Sequence, residues 1–151
     1  MALTLVDLAR DRSVEAFGEQ AAGRAGTGRI DYRVGDMLDP SLGHFDHVVA
    51  MDSLIHYRSA DMVAMLATLA ERTGSSIVFT FAPGTPALSL MLAVGRLFPR
   101  QDRAPAIEPV DAGALRRYLA AEPALSGWTS GRDLRISGGF YKSHAMELTR
   151  A

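Results

Sequence analysis

The sequence predicts an α/β fold, because strand patterns alternate with an amphipathic helix along the middle of the chain. Residues 45–52 and 76–82 are apolar enough to be buried strands. Between them the spacing of Met62, Leu66 and Leu69 places apolar side chains on one helical face. Weak alternation over the last twenty residues predicts two antiparallel strands, so the sheet is expected to be mixed.

The N-terminal part is predicted to contain one helix and one strand. Apolar residues recur on one helical face over residues 3–20, and a glycine-rich loop follows over 23–28. Apolar and charged residues then alternate over 30–34, which predicts a strand that ends at Gly35.

The central elements carry boundary signals. The continuous apolar run in 45–52 is typical of a parallel strand that is covered on both faces. Ser59 is predicted to cap the helix that follows, and Gly74 is predicted to stop it.

The later elements are two further helices. Residues 87–94 are apolar nearly all round but too few to span a bilayer, which needs about 20 residues. Asp111 is predicted to cap a second helix, which carries Leu115, Tyr118 and Leu119.

Composition predicts one globular domain over residues 1–151 and excludes several kinds of site. The chain has no cysteine, so disulfides, thiolate metal sites and cysteine nucleophiles are excluded. A net charge of -1 argues against a nucleic-acid partner. Acidic residues from Asp7 onward are unlike a secretory signal, which favours the cytoplasm.

Three strand ends carry the candidate site residues, since ligands of open α/β sheets bind beyond the carboxyl ends of strands. The first is Gly35-Asp36-Met37. The Asp36 carboxylate can accept a hydrogen bond from an amino group such as that of adenine. The alternative is a loop aspartate that caps a turn.

The second strand end carries Asp52 and His56. An imidazole four residues past a buried strand is placed to act on a ligand as a base or a hydrogen-bond donor. The alternatives are a histidine satisfied by a carbonyl and an aspartate that caps the loop. The other histidines, at 44, 47 and 144, lack metal-ligand spacing and are predicted to be structural, so no metal site is expected.

The third strand end, residues 81–86, leads into the apolar segment 88–94. Apolar surface beside a site suggests a large flat hydrophobic ligand or a membrane surface. A helix that is buried in the core explains the same pattern.

Taken in this order, the three ends resemble the later half of a class I S-adenosylmethionine (SAM)-dependent methyltransferase. Residues 35–37 resemble the third-strand motif whose acid meets the adenine amine, and 45–49 resemble the fourth strand, which ends beside the methionine part of the cofactor. A finer resemblance is to the magnesium-protoporphyrin IX O-methyltransferases of chlorophyll and bacteriochlorophyll synthesis. The runs that carry it are 49–57, 79–86, 97–100 with 102–105, and 137–141 before 147–148.

The resemblance implies a Rossmann-like α/β fold in which this chain supplies strands three to seven. The glycine-rich motif of the family's first strand and the acidic residue after its second are absent, so we expect the N-terminal third to be missing. The family's sheet order is three, two, one, four, five, seven, six. We therefore expect residues 30–34 to lack a neighbour and residues 48–51 to form an unpaired edge. Marginal stability, or non-native pairing of these two strands, is the expected consequence.

The reaction implied by the resemblance is methylation of a propionate carboxylate of magnesium-protoporphyrin IX by SAM. Magnesium enters only as part of this substrate. The resemblance makes His56 the catalytic residue, as a positioning donor first and a base second. It assigns cofactor binding to Asp36, Met37, Met51 and Asp52, and substrate binding to Tyr57 and Tyr141 beside the helix 88–94. Arg100 and Arg103 are either contacts to the other propionate or solvated surface residues.

Partners implied by the resemblance are the porphyrin and either a magnesium chelatase subunit or a membrane surface. The expected location is the cytoplasm, with a peripheral position at the inner membrane. One alternative is an inactive or partner-dependent methyltransferase fragment that cannot bind cofactor alone. Another is a small α/β binding module with no enzymatic ancestry, which leaves the matching runs unexplained.

Overall fold

A computed structural model describes residues 31–84, 107–138 and 141–151 of the chain. The chain divides into two compact units, residues 1–39 and residues 40–151, which are described separately. The expectation of one domain over 1–151 stays a prediction. The helices predicted over 3–20 and 87–94 and the loop over 23–28 lie outside the described residues.

The second unit contains a four-stranded mixed sheet. Its strands are β1 (Phe45–Ala50), β2 (Thr73–Phe81), β3 (Trp128–Gly138) and β4 (Tyr141–Arg150). Their order is β1-β2-β4-β3. Strand β1 runs parallel to β2, whereas β4 is antiparallel to both β2 and β3. The predicted parallel pair and closing antiparallel pair are confirmed, in the order that the resemblance implies for strands four, five, seven and six.

Helix α1 (Ser59–Ala70) connects β1 to β2, and its buried stripe contains Met62, Leu66 and Leu69 as predicted. The two boundary predictions are wrong. Arg58 occupies the N-cap position without a side-chain hydrogen bond, and Ser59 is the first helical residue. Gly74 lies in β2 and does not end the helix.

The earlier end of α1 has a local cause. The Thr73 hydroxyl donates a 2.7 Å hydrogen bond to the Leu69 carbonyl, and the Arg72 amide donates to the same oxygen at 3.2 Å. The Glu71 amide donates to the Ala67 carbonyl at 3.3 Å. Because these groups satisfy carbonyls of the last turn, the chain enters β2 without a glycine at the helix end.

Helix α2 (Ala112–Ala121) begins as the sequence predicts. The Asp111 carboxylate accepts a 2.7 Å hydrogen bond from the Ala114 amide, which satisfies one of the free donors of the first turn. Leu115 and Leu119 are buried, whereas Tyr118 is exposed. A 3-10 turn over Pro123–Leu125 follows and leads into β3.

The described core lies on one face of the sheet, where it packs against α1 and α2. Successive side chains of a strand point to opposite faces, so alternate residues of β2 and β4 meet the helices. The buried apolar side chains on this face are Ile77, Phe79, Phe81, Met146 and Leu148.

The prediction that β1 is covered on both faces is wrong for the described structure. Val49 is 66% exposed and Phe45 is 42% exposed. Within the described sheet, β1 pairs only with β2 and lies at the edge, and Val49 points to the face opposite Phe79. This agrees with the expected edge along residues 48–51.

The prediction of a strand over residues 30–34 is wrong for residues 31–34, which form no strand. An alternating segment becomes a strand only when a neighbouring strand supplies hydrogen-bond partners. Here the Arg33 guanidinium instead forms a 2.7 Å ion pair with the Asp31 carboxylate. A turn follows, in which the Asp39 amide donates to the Asp36 carbonyl at 3.1 Å.

Candidate active site

The candidate site is built at the carboxyl ends of β1 and β2. Because the two strands are parallel, the segments that follow Ala50 and Phe81 leave the sheet at the same edge. The loop of residues 51–58, called the β1 loop below, carries four of the predicted site residues. Leu54 in this loop is fully buried and anchors it to the core.

Asp52 is the second residue of the β1 loop and has a left-handed backbone conformation, with φ of 51°. Aspartate tolerates this region better than most residues. The Asp52 amide donates a 2.7 Å hydrogen bond to the Thr80 hydroxyl oxygen, and that hydroxyl donates to the Asp52 carboxylate at 3.2 Å. The conformation of Asp52 is thereby tied to β2.

The other predicted residues of the β1 loop surround Asp52. Met51 is 71% exposed, and its carbonyl accepts a 3.0 Å hydrogen bond from the Ser53 hydroxyl. His56 is exposed in a turn, and the next residue, Tyr57, donates its amide to the Leu54 carbonyl at 3.2 Å. The structure therefore places Met51, Asp52, His56 and Tyr57 on one loop with an apolar anchor.

The segment around Val110 joins the two strand ends. The Gly84 amide donates to the Val110 carbonyl at 2.8 Å, and the Val110 amide donates to the Ala82 carbonyl at 2.8 Å. The Glu108 amide donates to the Ile55 carbonyl of the β1 loop at 2.9 Å. These bonds hold the end of β2 and the β1 loop to one common segment.

Three predicted residues are not part of the β1 loop. Asp36 and Met37 belong to the first unit, where the Asp36 carboxylate accepts a 2.9 Å hydrogen bond from the Leu38 amide. This hydrogen bond is the one expected of an aspartate that caps a turn. The cofactor role of Asp36 and Met37 stays a prediction. Tyr141 begins β4 opposite Gly138, and its side chain lies outside the described residues, as do Arg100, Arg103 and segment 88–94.

A polar cluster that the sequence did not indicate lies at the end of β2. His144 is 8% exposed, and its ring stacks on that of Phe81 with the centroids 4.7 Å apart. Its Nε2 atom lies 3.2 Å from the Asp133 carboxylate, to which Arg116 of α2 also donates. The hydrogen bond from His144, with the charge of Arg116, lowers the pKa of Asp133.

No local sequence signal links the members of this cluster. Asp133 and His144 lie on different strands, and the pairing of β3 with β4 shifts register between Ser130 and Asp133. Thr80 was also missed as a contributor to the site. Its signal is weak but present, because it is a hydroxyl residue within an otherwise apolar run.

Neither a metal-binding cluster nor a membrane-spanning helix is found among the described residues. No group of three or more His, Asp or Glu side chains there could hold a metal ion. Likewise, none of the helices in the described part of the chain is long and apolar enough to cross a membrane.

Comparison with known families identifies this architecture. Residues 50–150 match the family model described as the magnesium-protoporphyrin IX methyltransferase C-terminus. The chain belongs to this family. The match begins at the last residue of β1, so it includes the β1 loop, both described helices and the rest of the sheet.

Curated relatives are likewise named as magnesium-protoporphyrin methyltransferases. The chain is 40% identical over 143 residues to magnesium-protoporphyrin O-methyltransferase of Rhodobacter capsulatus, which covers 95% of this chain and 57% of the relative. It is 30% identical over 119 residues to the chloroplastic magnesium protoporphyrin IX methyltransferase of Arabidopsis thaliana, covering 73% of this chain and 34% of that relative. The chain thus spans between about a third and somewhat more than half of these relatives.

Solved structures show the same fold. The magnesium protoporphyrin IX methyltransferase of Synechocystis with bound S-adenosylhomocysteine superposes with a TM-score of 0.72 at 24% identity, covering 97% of this chain and 59% of that one. Mitomycin 7-O-methyltransferase superposes with a TM-score of 0.64 at 16% identity, covering 97% and 39%. The predicted class I methyltransferase fold is confirmed.

Replacing Gly84 by Ala is expected to weaken the segment that joins the two strand ends. A Cβ atom at Gly84 would lie 3.3 Å from the Val110 carbonyl carbon and 3.4 Å from the Asp111 nitrogen, so the backbone at Val110 would have to shift by a few tenths of an ångström. We expect a loss of about 1–3 kcal/mol in the free energy of unfolding, measured by urea denaturation. Gly127→Ala is the control, since nothing lies within 4 Å of its Cβ position. Equal stability of the two variants would contradict this account of the segment.

Replacing Asp133 by Asn is expected to change how stability depends on pH. The folded protein lowers the pKa of Asp133 from its ordinary value of 3.8. Its contribution is therefore present above that value and is lost as the pH falls through the lowered pKa. Thermal unfolding from pH 7 to pH 3 should show Asp133→Asn less stable than the parent at pH 7, with the difference shrinking in acid. Asp46→Asn, at an exposed position of β1, is the control. A difference that stays constant with pH would refute the linkage.

Proposed function

We propose that the chain takes part in SAM-dependent O-methylation of a propionate carboxylate of magnesium-protoporphyrin IX, in the synthesis of chlorophyll or bacteriochlorophyll. The observation that carries this proposal is the β1 loop, which presents Asp52 and His56 at the carboxyl end of a parallel strand in a member of this family. The names of the curated relatives, which cover part of the same segment, support the substrate.

The charge at this strand end is complementary to the positive groups of the cofactor. SAM carries a sulfonium and an ammonium group, and an exposed carboxylate in a fixed conformation suits a cation. Asp52 meets this requirement, because Thr80 restrains its backbone and its carboxylate. In this proposal Asp52 and Met51 hold the methionine part, and Asp36 and Met37 hold the adenine. When bound, the cofactor supplies an electrophilic methyl group.

The acceptor needs little activation by the protein. A propionate carboxyl has a pKa of about 4–5, so it is ionised at neutral pH. One carboxylate oxygen forms a bond to the methyl carbon while the carbon–sulfur bond breaks, and the electron pair of that bond stays on sulfur. No proton is transferred, so the task of the chain is orientation and exclusion of water. We assign His56 to orientation, as a hydrogen-bond donor to the carboxylate, and Tyr57 and Tyr141 to contact with the macrocycle.

Delivery of the porphyrin is part of the proposal. Met51 is exposed beside the strand end, and Ile107, next to the residue that binds the β1 loop, is also exposed. Exposed apolar side chains beside a site suit a large apolar ligand that arrives from another surface. We propose a magnesium chelatase subunit or the cytoplasmic surface of the inner membrane as that source.

The edge of β1 favours a second candidate, a methyltransferase unit that binds cofactor only with a partner. Within the described sheet β1 pairs on one side alone, and Val49 beside that edge is exposed. An exposed edge strand is a template for pairing with further chain. Under this candidate, Asp52 becomes a competent cofactor ligand only when another polypeptide segment covers the edge.

Replacing His56 by Ala should lower the rate of methyl transfer about 10- to 100-fold while leaving SAM affinity within about twofold, because orientation acts on the acceptor. Turnover of magnesium-protoporphyrin IX can be followed by chromatography of the methyl ester, and affinity by titration calorimetry. His44→Ala is the control, since His44 is exposed before β1. Full activity of the His56 variant would refute the assigned role.

Calorimetric titration of the 151-residue chain with SAM separates the two candidates. Under the first candidate the chain binds SAM by itself, and Asp52→Asn weakens binding because a carboxylate charge is lost. Under the second, the chain alone shows no heat of binding at millimolar SAM. Saturable binding that Asp52→Asn leaves unchanged would remove Asp52 from the proposed cofactor site.

A further inference from the structure

Thr80 is a polar residue inside the apolar end of β2. Its neighbours Phe79 and Phe81 are fully buried against the helices, and Thr80 is 5% exposed on the opposite face of the strand. Its hydroxyl makes two hydrogen bonds, and both go to Asp52, 28 residues earlier in the chain. A buried hydroxyl is expected to be satisfied, and here a single residue supplies both partners.

The two bonds restrain Asp52 in complementary ways. The 2.7 Å bond from the Asp52 amide fixes its backbone, and the 3.2 Å bond to the carboxylate fixes its side chain. Among the described residues other than glycine, Asp52 is the one with positive φ, a conformation that is less favourable for a residue with a side chain and that the surroundings stabilise. This restraint comes from β2.

Asp52 controls the direction of the β1 loop. It stands between Ala50, the last residue of β1, and Leu54, the buried anchor. A change of φ at Asp52 would redirect the chain at the point where it leaves the sheet. His56 and Tyr57 follow the anchor by two and three residues, so their positions depend on that direction.

We propose that Thr80 is a positioning residue, which holds Asp52 in the left-handed conformation and thereby sets the β1 loop for methyl transfer. The catalytic part of this inference rests on the proposed function; the conformational part does not. Thr80 touches Asp52 and acts on the acceptor only through the loop. Removal of the Thr80 hydroxyl should lower kcat more than it raises KM for the porphyrin. The loop then loses its orientation toward the acceptor but keeps its contact area with it.

Two substitutions at Thr80 distinguish the effect of the hydroxyl from the effect of the side-chain shape. Thr80→Val keeps the branched shape and removes the hydroxyl, whereas Thr80→Ser keeps the hydroxyl. The matched control is Ser76→Ala on the same strand. It removes the 2.8 Å hydrogen bond between Ser76 and His47, which joins β2 to β1 nearer the amino end of the strands.

Amide hydrogen exchange tests the conformational part without any ligand. We expect the Asp52 amide to exchange about tenfold faster or more in Thr80→Val, at near parental rate in Thr80→Ser, and at parental rate in Ser76→Ala. Amides of α1 and β4 should be unchanged in all three. If Thr80→Val does not fold, Thr80→Ala is measured in its place. An unchanged Asp52 amide in the variant without the hydroxyl, or equal loosening in Ser76→Ala, would overturn the proposal.

Methyl transfer by the same variants tests the catalytic part. With an active parent chain, kcat should fall about 10-fold or more in Thr80→Val and recover in Thr80→Ser. Equal kcat in both variants would overturn the positioning role. An inactive parent chain overturns the proposed function for the chain alone, and the exchange result then decides the conformational part by itself.

Discussion

The parallel pairing of β1 with β2 is the constraint on which the site and the core both depend. Its register places Ala50 opposite Phe79, so the next step along each strand brings the β1 loop to Thr80. The same register turns Phe79 and Phe81 toward α1 and α2. A shift by one residue would exchange the two faces of β2, which would expose the aromatic rings and turn Thr80 toward the helices. Hydrophobic burial therefore also selects the arrangement that positions Asp52.

The two faces of the sheet differ in how they are covered. On the helix face, side chains from β2 and β4 meet α1 and α2 and are buried. On the other face, Val49, Leu134 and Ile136 are exposed. Exposed apolar side chains on a sheet face favour packing of further polypeptide against that face. An exposed edge strand likewise favours pairing with a further strand. The exposed face and the edge of β1 are thus physical reasons to consider a unit that works with additional polypeptide.

Two aspartates of this unit have different surroundings and different consequences. Asp133 meets a histidine and an arginine, so its charge is stabilised and its pKa is lowered. Its partners come from β4 and α2, and it therefore connects the closing hairpin to a helix. Asp52 is restrained by the hydroxyl of Thr80, which bonds both its backbone amide and its carboxylate. These contacts suit Asp133 to stabilising the fold, whereas the exposed Asp52 carboxylate is the group to which we assign the proposed cofactor contact.

By itself, the sequence determined the features that depend on neighbouring residues. The apolar stripe of α1, the Asp111 cap and the parallel strand pair follow from spacing and from one side chain's reach, and all were predicted correctly. Tertiary structure decided the rest. Gly74 did not stop α1 because Thr73 supplied a hydrogen bond to the last turn, and residues 31–34 did not become a strand. The restraint of Asp52 by Thr80 joins residues 28 apart, and the Asp133–His144 pair depends on a shift in register. Such contacts exist only after the strands have paired, because pairing sets which distant side chains meet.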